Sequence, residues 1–239
     1  MKKTDIMNKL LSILAMIFLS QFGMRVYAQS LIVVVQKETS MYNQTWFYSV
    51  KGNSLQEENI KKYWNEDFYI NSVAYTSKGW FVTMAKGLKW TNQAYSYRSS
   101  WPDDWVHEQM NAGYMITSLS SSGSNWMVVM SKNTDYSTQE ICSAPWSTLK
   151  EWIQKWWDKD YYITSLTCRD GMWTVVMSKT SLYTDQSYMF GSTISEIKEK
   201  IKKKWDEGFR ITAFEYEEAP IYALCVNLLK ALHLHKVIR

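Results

Sequence analysis

Histidine is scarce in this chain, with three residues in 239, and cysteine and proline are equally rare at three each, with nine glycines. The shortage of histidine excludes the commonest metal and acid–base constellations. His107 stands alone, and His233 and His235 lie near the C-terminus with no carboxylate cluster beside them. Serines are abundant, but a Ser-His-Asp or Cys-His arrangement has almost no histidine to draw on, and the acidic pair Glu217 and Glu218 has no partner at a spacing that reads as acid–base catalysis. The cysteines Cys142, Cys168 and Cys225 form no CxxC pair and no Cys/His cluster. No metal and no cofactor is therefore expected, and each cysteine reads as a small apolar strand residue, the other reading being one disulfide plus a free thiol.

Charge of one sign is lacking too. The net charge is +4, but Lys2, Lys3, Lys9 and Arg25 against Asp5 supply three of those charges, so residues 29–239 carry about +1. That excludes a nucleic-acid partner on composition. The basic run Lys198–Lys204 interleaves with Glu196 and Glu199 and reads as the solvated face of an amphipathic helix. The longest apolar run, Leu10–Phe22, is shorter than the roughly 20 residues that cross a bilayer. With the lysines before it and Val26-Tyr27-Ala28 after it, the run reads as a secretory signal cleaved after Ala28, leaving no membrane span. No cysteine follows it, which argues against a lipid anchor. The expected location is secreted or periplasmic.

What the chain has is aromatic residues, 15% of the total, and a repeat. Isoleucine or valine stands four residues before tryptophan or methionine at Ile60/Trp64, Val106/Met110, Ile153/Trp157 and Ile201/Trp205, in steps of 46, 47 and 48 residues. Ile70, Ile116 and Ile163 are each followed ten residues later by Trp80, Trp126 and Trp173. Six residues on come Lys86, Lys132 and Lys179, and seven more reach Gln93, Gln139 and Gln186. Leu31, Lys37 and Gln44 keep the same spacing, so the mature chain opens in mid-repeat. Periods of this size mean supersecondary units that cannot bury their apolar faces alone.

Each unit reads as a helix followed by a three-stranded antiparallel meander. In the first, LQEENIKKYWNE is amphipathic, FYINSVAY alternates, WFVTMAK returns after a short turn, and QAYSYRS completes the unit. Pro102 and Pro145 fit a helix's first turn. Gly113 and Gly208, with Asp67 and Asp160 in the other two units, fall where a helix end requires positive φ. The expected fold is α+β: tandem repeats of about 47 residues, the step found above, forming a propeller-like toroid or an open crescent. The expected division is a signal peptide over 1–28 and one repeat domain over 29–239. Its units run 31–50 (partial), 55–99, 101–143, 146–190 and an aberrant 192–239, which is either a cap or a unit whose missing last strand the N-terminal LIVVV or QTWFYSV segment supplies, closing a ring.

The text WTVVMSK, then a tyrosine and QSY, with W-D-x-G-[FY]-x-[IV]-T before it, carries a resemblance. It resembles a repeat region of unknown biochemical function that lies C-terminal to the kinase domain in plant casein-kinase-I-like protein kinases and recurs in bacterial exported proteins. The resemblance spans residues 31 to about 227 and rests on Trp126–Lys132, Trp173–Lys179, Gln139, Gln186 and Trp205–Phe209. The first unit departs from it at Asn71, Thr83 and Ala85, and the fourth lacks the tryptophan and the Met-Ser-Lys. It implies a repeat scaffold. It brings no catalytic residues, since no Gly-rich phosphate loop, His-Arg-Asp loop or Asp-Phe-Gly is present.

Three recurring sets are the candidate site residues. Trp80, Trp126 and Trp173 are either sugar-stacking platforms or core fillers between sheet and helix, and the helix tryptophans Trp64, Trp157 and Trp205 are structural repeat positions. Gln44, Gln93, Gln139 and Gln186 are either buried amides tying one unit to the next or donors converging on a groove. Lys86, Lys132 and Lys179 precede turns bearing Trp90, Tyr136 and Tyr183, and these six are either a ligand-binding crown suited to an acidic or glycan ligand or, for the lysines, solvated strand ends. The leading expectation is thus an exported, non-catalytic binding or interaction module, with a glycan or an envelope protein as partner. The alternatives are a hydrolase acting on cell-envelope or other polymers, and a structural envelope component.

Overall fold

The computed structural model describes residues 42–48, 55–76, 79–191, 194–216 and 221–227. All of them belong to the compact unit Val34–Arg239. The expected signal peptide, the LIVVV strand and the tail 228–239 lie outside the described residues.

Four strand–helix–strand–strand units follow one another. The first holds β1 (Tyr42–Tyr48), α1 (Glu57–Trp64), β2 (Tyr69–Thr76) and β3 (Gly79–Lys86). The second holds β4 (Asn92–Arg98), α2 (Asp103–Asn111), β5 (Met115–Ser121) and β6 (Trp126–Lys132). The third holds β7 (Tyr136–Ala144), α3 (Trp146–Trp157), β8 (Tyr161–Arg169) and β9 (Met172–Thr180). The fourth holds β10 (Asp185–Gly191), α4 (Ile194–Asp206), β11 (Phe209–Tyr216) and β12 (Ile221–Asn227). Each makes a three-stranded antiparallel sheet with its last strand in the middle, in the orders β1-β3-β2, β4-β6-β5, β7-β9-β8 and β10-β12-β11.

The α+β character and the recurring three-stranded antiparallel unit agree with the sequence expectation; the frame of the unit differs by one strand. QAYSYRS was expected to close the first unit, but β4 pairs with β6 of the next, Gln93 opposite Ser131. The outer strands of each sheet run parallel to each other, and a helical crossover between them satisfies that geometry while the middle strand returns by a hairpin. The shift also completes the fourth unit. Its sheet takes β10, β12 and β11 from consecutive chain, so no strand has to be lent by the N-terminal segment.

Local chemistry fixes the helix ends. Pro102 and Pro145 stand at the N-cap, one residue outside the helix, where the missing N–H costs nothing. At the other end Asp67 (φ +62°), Gly113 (+86°), Asp160 (+65°) and Gly208 (+91°) all take the left-handed conformation that turns helix into strand. One bulge recurs in every unit just after the isoleucine of the second strand, between Ile70/Ser72, Ile116/Ser118, Ile163/Ser165 and Ile211/Ala213.

The sheets stack in series: β2 lies against β5, β5 against β8, and β8 against β11. No closed toroid forms among the described residues. One face of each middle strand meets its own helix, as Val128 and Met130 meet Val106. The other face meets the preceding unit: Met127 and Val129 of β6 join the core built on Ile60 and Ile70, and Val176 of β9 joins that of the second unit. Alternating side chains that are apolar on both sides explain why WMVVMSK and MWTVVMSKT are buried without alternation.

Candidate functional site

Every second strand is an edge, and its outward N–H groups need acceptors. Side chains of the following unit supply them. Val73 N–H donates to Ser118 Oγ (3.1 Å) and Tyr75 N–H to Ser120 Oγ (3.0 Å). One repeat later, Leu119 N–H donates to Ser165 Oγ and Ser121 N–H to Thr167 Oγ1, both at 3.1 Å. These hydroxyl residues are buried. The fourth unit carries Ala213 and Glu215 at the same places, so the hydroxyl ladder is a property of the first two junctions.

The recurring glutamine is the second fastening. Gln93, on β4, receives Ile70 N–H at Oε1 (2.7 Å) and returns Nε2–H to Ile70 C=O (2.8 Å), mimicking the peptide of an antiparallel neighbour. Its Oε1 also accepts the Trp64 indole N–H (3.1 Å), and its Nε2 donates to Ser131 Oγ (3.0 Å) of its own middle strand. Gln139 holds Ile116 and Ser178 in the same way, and Gln186 holds Ile163 and the Trp157 indole. Position 110 is methionine, so the second unit offers Gln139 no indole. The serine of Met-Ser-Lys is thus the glutamine's anchor: Ser131 and Ser178 are fully buried, each also bonded to the bulge residue Thr117 or Thr164. Sequence reading singled out the glutamines; the serine and the bulge threonine were missed, although Ala85 with Asn71 in the first unit varies jointly with them. Gln44 is exposed, in the unit with no described unit before it.

The tryptophans that open the middle strands pack inside. Trp80 and Trp173 are buried, Trp80 between Tyr75 and Tyr97 and Trp173 against Trp146, which leaves no ring face for a sugar. Trp126 is half-buried beneath Trp101, with the Arg169 guanidinium 5.7 Å from its centroid. Arg169 also donates to Ser99 C=O and Gly123 C=O, locking the third unit's hairpin onto the second unit. Trp205 lies on α4.

The six residues of the expected crown divide between the two faces of each sheet. Lys86 sits 4.7 Å from the Phe68 centroid, Lys132 4.6 Å from Tyr114 and Lys179 5.9 Å from Tyr161, all on the helix side. In the fourth unit, where Asn227 pairs in the lysine's register, Lys204 from α4 covers Phe209 instead, at 4.5 Å. The turn aromatics meet the next residue along: Trp90 lies edge-on to Tyr69 and Tyr183 edge-on to Tyr162. Neighbouring strand residues point to opposite faces, so lysines and turn aromatics flank one rim from its two sides. Tyr136, four residues after Lys132 as Trp90 and Tyr183 are after Lys86 and Lys179, opens β7 of the third unit. Beside Tyr161 the third unit adds Trp156, flanked by Lys155 (5.5 Å) and Lys159 (4.6 Å).

Among the described residues Lys86, Lys132 and Lys179 make no ion pair, whereas Lys89 at the same end bridges to Asp135 at 3.2 Å. His107 accepts no role in a cluster; its Nδ1 lies 3.0 Å from Asp103 C=O on the exposed side of α2. Cys142 and Cys168 occupy β7 and β8 and Cys225 lies in β12; burial pushes the Cys142 thiol pKa up. Tyr95, beneath Trp64, has its pKa pushed up to about 12, first by burial and then by the charge of Glu57, whose carboxylate also accepts a hydrogen bond from the Tyr95 hydroxyl. Among the described residues no three His, Cys, Asp or Glu side chains gather to hold a metal, and no helix is long and apolar enough to cross a membrane.

Comparison with known proteins gives one family. A model described as a domain of unknown function, DUF7477, matches residues 17–144 and again 142–227. The boundary falls between β7 and α3, and the second match ends with β12. No curated protein matches the chain.

Proposed function

The chain belongs to the DUF7477 family, and from that premise we propose that it is an exported, non-catalytic binding module whose lysine rim takes an acidic glycan. The observation that carries this reading is the recurrence of Lys86, Lys132 and Lys179, one per unit, each braced over a ring and none in an ion pair among the described residues. A cation held by a ring at one repeat spacing meets a polymer whose negative charges also repeat. The resemblance of the motif to repeat regions of kinases and of bacterial exported proteins supports a recognition role, and the N-terminal lysines and apolar run support export.

The test is titration calorimetry of the purified protein with acidic and neutral oligosaccharides, beside Lys132→Ala/Lys179→Ala. The expected result is salt-dependent binding of the acidic set alone, lost in the double variant. Exposed cation–π contacts are worth about 0.5–1 kcal/mol each, so the variant loses only about 1–2 kcal/mol of stability. Acidic-glycan binding that survives in the folded variant refutes the site, and binding of neutral glycans alone refutes the ligand class.

A further inference from the structure

Among the described residues the first unit's sheet is exposed on its leading face at Trp46 and Ser72. In the second and fourth units the residue two places after the glutamine packs against the preceding unit's helix tryptophan. Tyr95 lies 5.6 Å from Trp64, and Tyr188 lies 5.7 Å from Trp157 at an interplanar angle of 22°. Trp46 holds that register position in β1. It is 65% exposed, and among the described residues its one ring contact is with Phe81 of its own sheet, at 5.4 Å. Ser72, also exposed, stands where Ser118 and Ser165 accept N–H groups from the preceding unit. The leading end therefore presents the half of the junction that reaches backward.

At the other end the complementary half recurs. Trp205 on α4 and Ile211 on β11 hold the register of Trp64 with Ile70 and of Trp157 with Ile163, the pairs that receive the following unit. Phe214 holds the register of Val73 and Leu119, which donate to the following unit's serine. We propose that the occupant of the leading face is a second copy of this chain, docked by its α4–β11 side, so that copies join head to tail through the interface already repeated within each chain. β1 of one copy would then lie against α4 of the second, with Ser72 accepting the Phe214 N–H. Such an interface is heterologous, and its repetition yields filaments, or rings where the rotation closes.

Mass photometry and sedimentation velocity across a concentration series, on the wild type and on Trp46→Lys, test this. The expected result is concentration-dependent growth beyond a monomer, with Trp46→Lys weakening association about thirtyfold, the effect of a central interface tryptophan. Circular dichroism melting checks that the variant is folded; a second variant, Ser72→Glu, which leaves the aromatic pair intact, is expected to weaken assembly in the same direction. A Trp46→Lys head cannot dock, but its α4–β11 end remains competent, so doping it into wild type is expected to shorten oligomers rather than leave them unchanged. A strictly monomeric wild type overturns the proposal and assigns the face to the chain's own preceding segment or to another protein. Oligomers indifferent to both substitutions overturn it equally.

Discussion

Replacing Gln93 by leucine, nearly equal in size, tests whether the glutamine clamp holds the units together. The substitution removes four hydrogen bonds, to Ile70 N–H, Ile70 C=O, the Trp64 indole and Ser131. Ser131 keeps Thr117 Oγ1 at 3.0 Å and is not stranded. Ile70 is fully buried, so its two backbone groups are left unpaired away from water at about 1–3 kcal/mol each. The half-buried Trp64 indole adds a smaller loss, and the gain from burying a leucine offsets part of the total. The expected net cost is about 3–5 kcal/mol, which for a chain of this size lowers Tm by roughly 10 °C. Gln139→Leu is expected to cost about 1 kcal/mol less, because Met110 gives that glutamine no indole. Urea unfolding measured by tryptophan fluorescence and circular dichroism reads both the midpoint and any loss of cooperativity as junctions uncouple. A Gln93→Leu protein within about 1 kcal/mol of the wild type would refute the clamp, since no buried backbone pair can be stranded so cheaply.

Further expectations concern single residues. Ser96 is 5% exposed, and its hydroxyl has no partner among the described residues, whereas the same slot holds Phe47, Cys142 and Met189 elsewhere; Ser96→Ala is expected to stabilise the protein by about 1 kcal/mol, read as a higher urea midpoint. Gly113→Ala meets nothing within 4 Å, but it forces an alanine to φ +86°, so a loss of about 1–2 kcal/mol is expected in the same assay, and Gly113→Asn is expected to restore most of it. Tyr95 loses its proton near pH 10 when unfolded and near 12 when folded, so its contribution is complete below pH 10 and is lost as pH rises toward 12. Glu57→Gln is expected to flatten that alkaline fall only partly, because burial is the larger cause, and tyrosinate absorbance with pH-dependent melting measures it.

The elements were legible because their signals are local. The spacing of isoleucine or valine to tryptophan or methionine located all four helices, and Asp67, Gly113, Asp160 and Gly208 marked the left-handed exits because positive φ restricts which residues stand there. The frame of the unit was not legible. A periodic sequence has no beginning, and only the hydrogen bonds between β4 and β6 reveal that a strand belongs to the helix after it. The glutamine's burial followed from its regularity among apolar neighbours, but its partners lie 23 and 29 residues away, beyond any periodicity within one element. The crown was half legible: the lysines and turn aromatics do share one end of the sheets, but strand alternation separates them by face.

Each junction is written in two vocabularies, a glutamine in the later unit and an isoleucine with its bulge in the earlier one. Whole units are therefore interchangeable words, provided that the cut is made at the strand that bears the glutamine. Removing residues 92–137 would bring Gln139 against Ile70 and Trp64, with Ser165 and Thr167 facing the N–H groups of Val73 and Tyr75. The splice would recreate a junction already in use. An evolving gene can thus lengthen or shorten this protein by duplication or loss of a segment without inventing a contact, and a designer can set the number of cationic steps along its rim in the same way.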